Sequence, residues 1–351
     1  VTWDPNHVDA NGVAWISDTP TEVEWNKVDA QNTKQPLGGA VWKLESFSNG
    51  GYAEYNGEGN GTVTDCTENC TADPDNPLQD INPDRGMIKL QQLPVGRYRI
   101  QEKTPPSGYD APENTYYYFE LEATPNGTVK IYKGTGSFDT TTGAPTGEGV
   151  VEVSYNNITN PRKTGKVYWG KVSSEDDTRF LAGSAWKVTY IPYGGTEANK
   201  IEVDITDCVG TTGTCSAADA KKAPWAYDVY TAEGRIGFDN LPWGSYEMIE
   251  TKAPDGYYAN PDAVYVFTVG PDTPEFQNVV IYKKNADGTT GDAIPAPTTP
   301  LPNYPNQVIS NEPGVILPAT GGEGNTRIVL FGFALIAISM LGCGVAMRKR
   351  I

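Results

Sequence analysis

The chain has 351 residues, room for two or three domains, and a formal net charge of -17 that argues against a nucleic-acid partner, because phosphate neutralisation needs a surplus of Lys and Arg. Its 38 Gly, 27 Pro and 20 Tyr, with no long helical period before residue 328, predict an all-β extracellular part. With His7 as the single His, no Ser/His/Asp or Cys/His constellation can be built, so neither a turnover site nor a cofactor is expected.

Residues 1–20 read as the end of a domain missing upstream. Trp15-Ile16-Ser17-Asp18-Thr19-Pro20 stands before the first module much as Ile158-Thr159-Asn160-Pro161 stands before the second, which makes Asp18 the closing residue of a lost unit. The chain starts at Val1 without a charged-then-apolar leader, so it is expected to be the C-terminal piece of a longer precursor.

Residues 21–162 and 163–313 are two copies of one module. Val23-Glu24-Trp25-Asn26-Lys27-Val28 matches Val167-Tyr168-Trp169-Gly170-Lys171-Val172, and Leu37-Gly38-Gly39-Ala40-Val41-Trp42-Lys43 matches Leu181-Ala182-Gly183-Ser184-Ala185-Trp186-Lys187. Thr64-Asp65-Cys66 matches Thr206-Asp207-Cys208, Leu93-Pro94-Val95-Gly96-Arg97-Tyr98 matches Leu241-Pro242-Trp243-Gly244-Ser245-Tyr246, and Pro106-Ser107-Gly108-Tyr109 matches Pro254-Asp255-Gly256-Tyr257. Short strands between Gly, Pro and Asn turns predict a β-sandwich for each copy. The Pro- and Thr-rich stretch 285–307 is either an extended loop of the second sandwich or a linker; the similar loop 134–149 in the first copy favours the loop.

Strand alternation places Val23, Trp25 and Lys27 on one face, and likewise Tyr98, Ile100 and Glu102, and Ile158 and Asn160. The second copy repeats this with Lys171, Glu250 and Asn311. Polar groups aimed into a core must satisfy one another, so each Lys, Glu and Asn are expected to meet. Burial favours the neutral amine and the neutral acid, which makes the lysine a nucleophile toward the asparagine side chain, with the glutamate as proton relay. Asn156 and Asn157 are rivals to Asn160.

Cys66 with Cys70 and Cys208 with Cys215 form local pairs at matching places, read as two loop disulfides in an oxidising compartment. Asp73, Asp75, Asn76, Asp80 and Asp84 are read as a solvated acidic loop rather than a calcium site, since prolines interrupt any EF-hand spacing, and no metal is expected. The run Tyr116-Tyr117-Tyr118-Phe119 is read as a packed strand rather than a sugar platform.

Residues 314–351 close the chain with Leu317-Pro318-Ala319-Thr320-Gly321, an apolar run over 328–347 and Arg348-Lys349-Arg350. About 20 apolar residues in helix cover roughly 30 Å, the thickness of a bilayer core, with the basic end on the cytoplasmic side. The combination resembles a Gram-positive cell-wall sorting signal. That resemblance implies cleavage by a sortase between Thr320 and Gly321 and transfer of the threonine carbonyl to a peptidoglycan or lipid II amine, the precursor being held meanwhile in the membrane.

The module motifs, from Trp-x-Lys through Leu-Pro-x-Gly-x-Tyr and the Glu before Pro-x-Gly-Tyr to a closing Asn, resemble the isopeptide-forming CnaB- and SpaA-type domains of Gram-positive adhesins and pilins. The resemblance implies two inverse immunoglobulin-like, prealbumin-like sandwiches with first and last strands adjacent. It implies Lys27–Asn160 and Lys171–Asn311 bonds, with Glu102 and Glu250 as catalysts. The disulfides resemble those of actinobacterial surface proteins. No Tyr-Pro-Lys pilin motif is found, so the expectation is an ancillary pilin or adhesin stalk displaying an upstream region. The alternatives are modules that themselves grip a host protein or glycan, and a stalk carrying an upstream wall-anchored enzyme.

Overall fold

The computed structural model describes residues 21–55, 61–68, 70, 71, 73, 76–123, 128–210, 215–298 and 307–314, with the backbone of two earlier strands. Those strands, β1 (Thr2–Val8) and β2 (Ala14–Ser17), pair antiparallel. Asp18, Asp75, the pentapeptide Leu317 to Gly321, the apolar run 328–347 and the basic end lie outside the described residues. Among the described residues, no helix is long and apolar enough to cross a membrane.

The first module runs through β3 (Glu22–Asp29), β4 (Val41–Ser48), β5 (Gly51–Glu54), β6 (Thr62–Thr64), β7 (Met87–Gln91), β8 (Gly96–Thr104), β9 (Tyr116–Leu121), β10 (Tyr132–Gly134), β11 (Val151–Glu152) and β12 (Asn157–Asn160). A three-stranded sheet, β12-β3-β7, packs against a larger sheet ordered β11-β10-β9-β8-β4-β5, with β6 also on β4. First and last strands of the module are therefore neighbours, and they run parallel, with Ile158 opposite Lys27. The second module repeats the plan with β13 (Gly165–Ser173), β14 (Ala185–Pro192), β15 (Ile201–Thr206), β16 (Arg235–Leu241), β17 (Gly244–Lys252), β18 (Val264–Val269), β19 (Tyr282–Lys284), β20 (Thr290–Ala293) and β21 (Val308–Asn311). Its sheets are β16-β13-β21 and β15-β14-β17-β18-β19-β20, and β21 runs parallel to β13 with Ile309 opposite Lys171. Among the described residues the architecture is all-β apart from two short 3-10 turns, two sandwiches on one plan.

Period-two burial explains both cores. Val23 and Trp25 on β3 face Trp42 and Leu44 on β4, all buried, and the Trp25 and Trp42 rings meet edge to face at 5.8 Å. Trp169 and Trp186 repeat that contact at 5.4 Å in the second core. The aromatic run on β9 is buried on both faces, for two reasons. Tyr117 and Phe119 belong to the core, whereas Tyr118 on the outer face is covered by the module's own chain. The Tyr52 ring meets Tyr118 at 5.6 Å and Phe138 at 5.0 Å, both edge to face, the Tyr52 hydroxyl donates to Gly143 O at 2.6 Å, and the Arg99 guanidinium lies 4.5 Å from the Tyr52 ring centre and 4.2 Å from that of Tyr116. In the second module part of the Pro- and Thr-rich stretch becomes β20, which extends the sheet beyond β19.

Candidate functional site

Three strands of each sandwich deliver one polar side chain apiece to the core. In the first module these are Lys27 of β3, Glu102 of β8 and Asn160 at the end of β12; Lys27 and Asn160 are both 0% exposed. Lys27 Nζ donates to Asn160 Oδ1 at 2.5 Å and to Glu102 Oε2 at 3.0 Å. In the second module Lys171 donates to Asn311 Oδ1 and stands 3.0 Å from Glu250 Oε1, while Asn311 Nδ2 donates to Glu250 Oε2 at 2.9 Å. The structure thus brings together both trios picked from strand alternation. Asn156 and Asn157 are engaged elsewhere: Asn156 Nδ2 donates to the carbonyls of Glu24 and Val129, and Asn157 Oδ1 accepts from Asn26 Nδ2.

Burial governs the protonation of these groups. It drives the Lys27 amine down to about 8, although the Glu102 charge pulls the other way. Lys171 is lowered for the same reasons. Burial also raises the Glu102 carboxyl above its usual range, against the attraction of Lys27. Each amine is further enclosed by an indole, with Lys27 Nζ 5.2 Å from the Trp42 ring centre and Lys171 Nζ 5.4 Å from that of Trp186. Tyr117 closes the first enclosure against Trp42 at 6.2 Å, and Tyr265 the second against Trp186 at 6.1 Å. Trp42 and Trp186 are legible in the sequence as repeated residues, but no local pattern marks their place over the amines.

An unreacted buried Lys–Glu pair is a poor way to stabilise a core, since desolvation costs as much as the attraction returns. What the geometry supplies is an amine of lowered basicity touching an amide carbonyl, with a carboxyl group within reach of both. Chemically that arrangement suits amide exchange.

Cys66 is bonded to Cys70 and Cys208 to Cys215. Contrary to what its composition suggests, the acidic loop beside them is not solvated throughout. Asp80 is buried, its carboxylate accepting the backbone N–H groups of Cys66, Asn82 and Lys89. Asp228 does the same for Cys208, Tyr230 and Gly237, and burial pushes its carboxyl up to about 7 against those three donors. Asp65 and Asp207, each directly before the first cysteine of its pair, tie distant glycines: Asp65 accepts from Gly39 and Gly86, and Asp207 from Gly183 and Gly234. The repeated Thr-Asp-Cys was a usable signal for the latter pair. Nothing in the sequence marked Asp80, whose loop neighbours are exposed acids. Among the described residues, no group of three His, Cys, Asp or Glu stands where it would hold a metal.

The family described as SpaA: Prealbumin-like fold domain matches the chain over residues 21–135 and 165–285. Among solved structures, the Bacillus anthracis TIE protein aligns at 15% identity and a TM-score of 0.37 over 84% of this chain, which spans 34% of that protein. The C-terminal fragment of the pilus adhesin SpaC from Lactobacillus rhamnosus GG aligns at 17% identity and a TM-score of 0.32, over 86% of this chain and 100% of the fragment. A streptococcal ancillary pilin aligns at 17% identity and a TM-score of 0.24, over 86% of this chain and 65% of its own. No curated protein matches in sequence.

Proposed function

The chain belongs to the SpaA prealbumin-like fold domain family, and from that premise we propose that it is a fimbrial subunit or adhesin stalk of the cell surface, each sandwich closed by a self-formed Lys–Asn amide. The observation that carries the reading is the repetition of one buried trio, Lys27–Glu102–Asn160 and Lys171–Glu250–Asn311, across the junction of first and last strands. In the proposed step the neutral lysine Nζ attacks the asparagine Cγ. The Nζ–Cγ bond forms, the Cγ–Nδ2 bond breaks, and the glutamic acid passes a proton to Nδ2 while recovering one from Nζ. Ammonia leaves, and the buried amine and carboxamide become one secondary amide beside a neutral carboxyl group. Catalysis ends with that single turnover.

The same proposal takes Leu317 to Gly321 as the sortase site, with Thr320 transferred to a peptidoglycan or lipid II amine and the apolar run 328–347 retaining the precursor until then. The likeness of order and spacing to a sorting signal supports that part. Other pilins are the natural protein partners of such a subunit.

Intact mass of the chain with its disulfides reduced tests the bonds. The chain should be lighter than its sequence by two ammonia equivalents, Glu102→Ala and Glu250→Ala should each restore one, and the double variant both. A mass equal to the sequence in the unsubstituted chain rejects the crosslinks and leaves a plain sandwich stalk.

A further inference from the structure

The two copies diverge where they face one another. Beyond the first trio, two residues on from Lys27, lies Asp29, which is 0% exposed. Its carboxylate accepts Arg162 Nε at 2.7 Å, the Tyr109 hydroxyl at 2.8 Å and the backbone N–H of Gln31 at 2.7 Å. Arg162 follows Asn160 by two residues, so the ion pair joins β3 to the chain leaving β12 at the point where the second module begins. The Arg162 guanidinium then reaches across. It lies 4.8 Å from the centre of the Trp243 ring and 5.4 Å from that of Tyr193, both on the second module.

Trp243 occupies the turn between β16 and β17, yet it is only 3% exposed. Tyr109 packs on its edge at 5.1 Å, and its indole N–H donates to Lys163 O at 2.9 Å. Gly108 meets Pro271 so closely that a Cβ there would stand 2.8 Å from Pro271 Cα, and Ser107 Oγ donates to Pro271 O at 3.2 Å. Tyr109 has a counterpart in Tyr257, but the other three key side chains do not recur at the equivalent place in the other copy. Ser173 stands for Asp29, Pro313 for Arg162, and Val95, which is 57% exposed, for Trp243. Ordinary sandwich stability does not require Asp29, Arg162 or Trp243, because the sister module folds on the same plan without them. Those three lie where the two modules meet.

We propose that Asp29, Arg162, Tyr109 and Trp243 form a fixed joint whose binding partner is the neighbouring module of the same chain, so that the two sandwiches move as one rigid body. Buried, the Asp29 carboxylate positions Arg162, and Arg162 with Tyr109 grips Trp243 through its face and edge.

The test uses the full chain with spin labels on non-natural residues at the exposed positions Ala53 and Ala286, one in each module, and pulsed electron resonance to read the distance distribution. The unsubstituted chain is expected to give one narrow distribution. Trp243→Val, which copies the side chain carried by the sister turn, should broaden it about twofold or more, toward the mobility that is the default for small interfaces within a chain. Arg162→Ala should do the same, while Val95→Ala leaves it unchanged. Because Trp243→Val installs a residue that the first module accommodates at that place, and because broadening with intact near-ultraviolet dichroism separates a loose joint from an unfolded module, a folding failure in Arg162→Ala does not shield the proposal. A broad distribution in the unsubstituted chain, or a narrow one in Trp243→Val, overturns it.

Discussion

A lysine with no access to water is tolerated only if it is paired, discharged or consumed, and Lys27 and Lys171 have the surroundings for all three. Because Lys27 shares its site with Glu102, that pair titrates as a unit, and its reactive form holds one proton between the two groups. Below the raised Glu102 range the pair gains a second proton and the amine is blocked; above about 8, where Lys27 deprotonates, it loses the proton needed by the departing nitrogen. Bond formation in freshly refolded chain, followed by mass, should therefore be bell-shaped in pH, with the alkaline limb near 8 for the first module. A rate rising monotonically to pH 10 contradicts the acid role of Glu102. In the same site Lys27→Ala should destabilise the first module by about 3–5 kcal/mol beyond the loss of the crosslink, since Glu102 is left buried without its partner. Glu102→Gln in the Lys27→Ala background should recover part of that in urea denaturation.

At the level of strands and loops, the parallel pairing of β3 with β12 and of β13 with β21 determines which asparagine the lysine meets. Side-chain direction reverses with every residue along a strand, so a one-residue slip would present Thr159 or Ser310 instead. The loops are secured differently. Asp80 and Asp228 gather three backbone N–H groups each, and replacing either by Ala leaves those donors unmatched, at about 1–3 kcal/mol per module. The disulfides close short loops of sequence separation 4 and 7, worth about 2 kcal/mol each by loop entropy, against about 5 kcal/mol for a tie across a separation of 133. Within the first module, mild reduction should therefore lower thermal stability less than Glu102→Ala does. Calorimetry of the two preparations decides the order. Strand alternation made the inward lysines, glutamates and asparagines legible in the sequence, because a polar residue in step with Val and Trp has only one face to occupy. Asp80 was illegible, because an aspartate among exposed loop acids looks solvated until the distant Cys66 and Lys89 backbones fold onto it.

For the molecule as a whole, the proposed bonds change the path of a stretching force. A pull entering at residue 21 would travel along β3 to Lys27, cross to Asn160 and leave toward the second module, so the 132 residues between them, 28–159, would carry no tension. Under single-molecule stretching the chain should show no unfolding step from either sandwich. Glu102→Ala should release a step of roughly 450 Å, the extended length of the freed segment at about 3.4 Å per residue. With both modules fixed at the Trp243 joint, the stalk would also resist bending. Sequence periodicity and internal repetition were enough to determine the β class, the two copies, the cysteine pairs and the six core polar residues, because each depends on local alternation or on direct comparison of one copy with the other. Tertiary structure alone decided that β12 lies parallel to β3, that Asp80 turns inward, and that Asp29, Arg162 and Trp243 converge. Those facts depend on which distant backbones come into contact, and no pattern along a single strand encodes that adjacency.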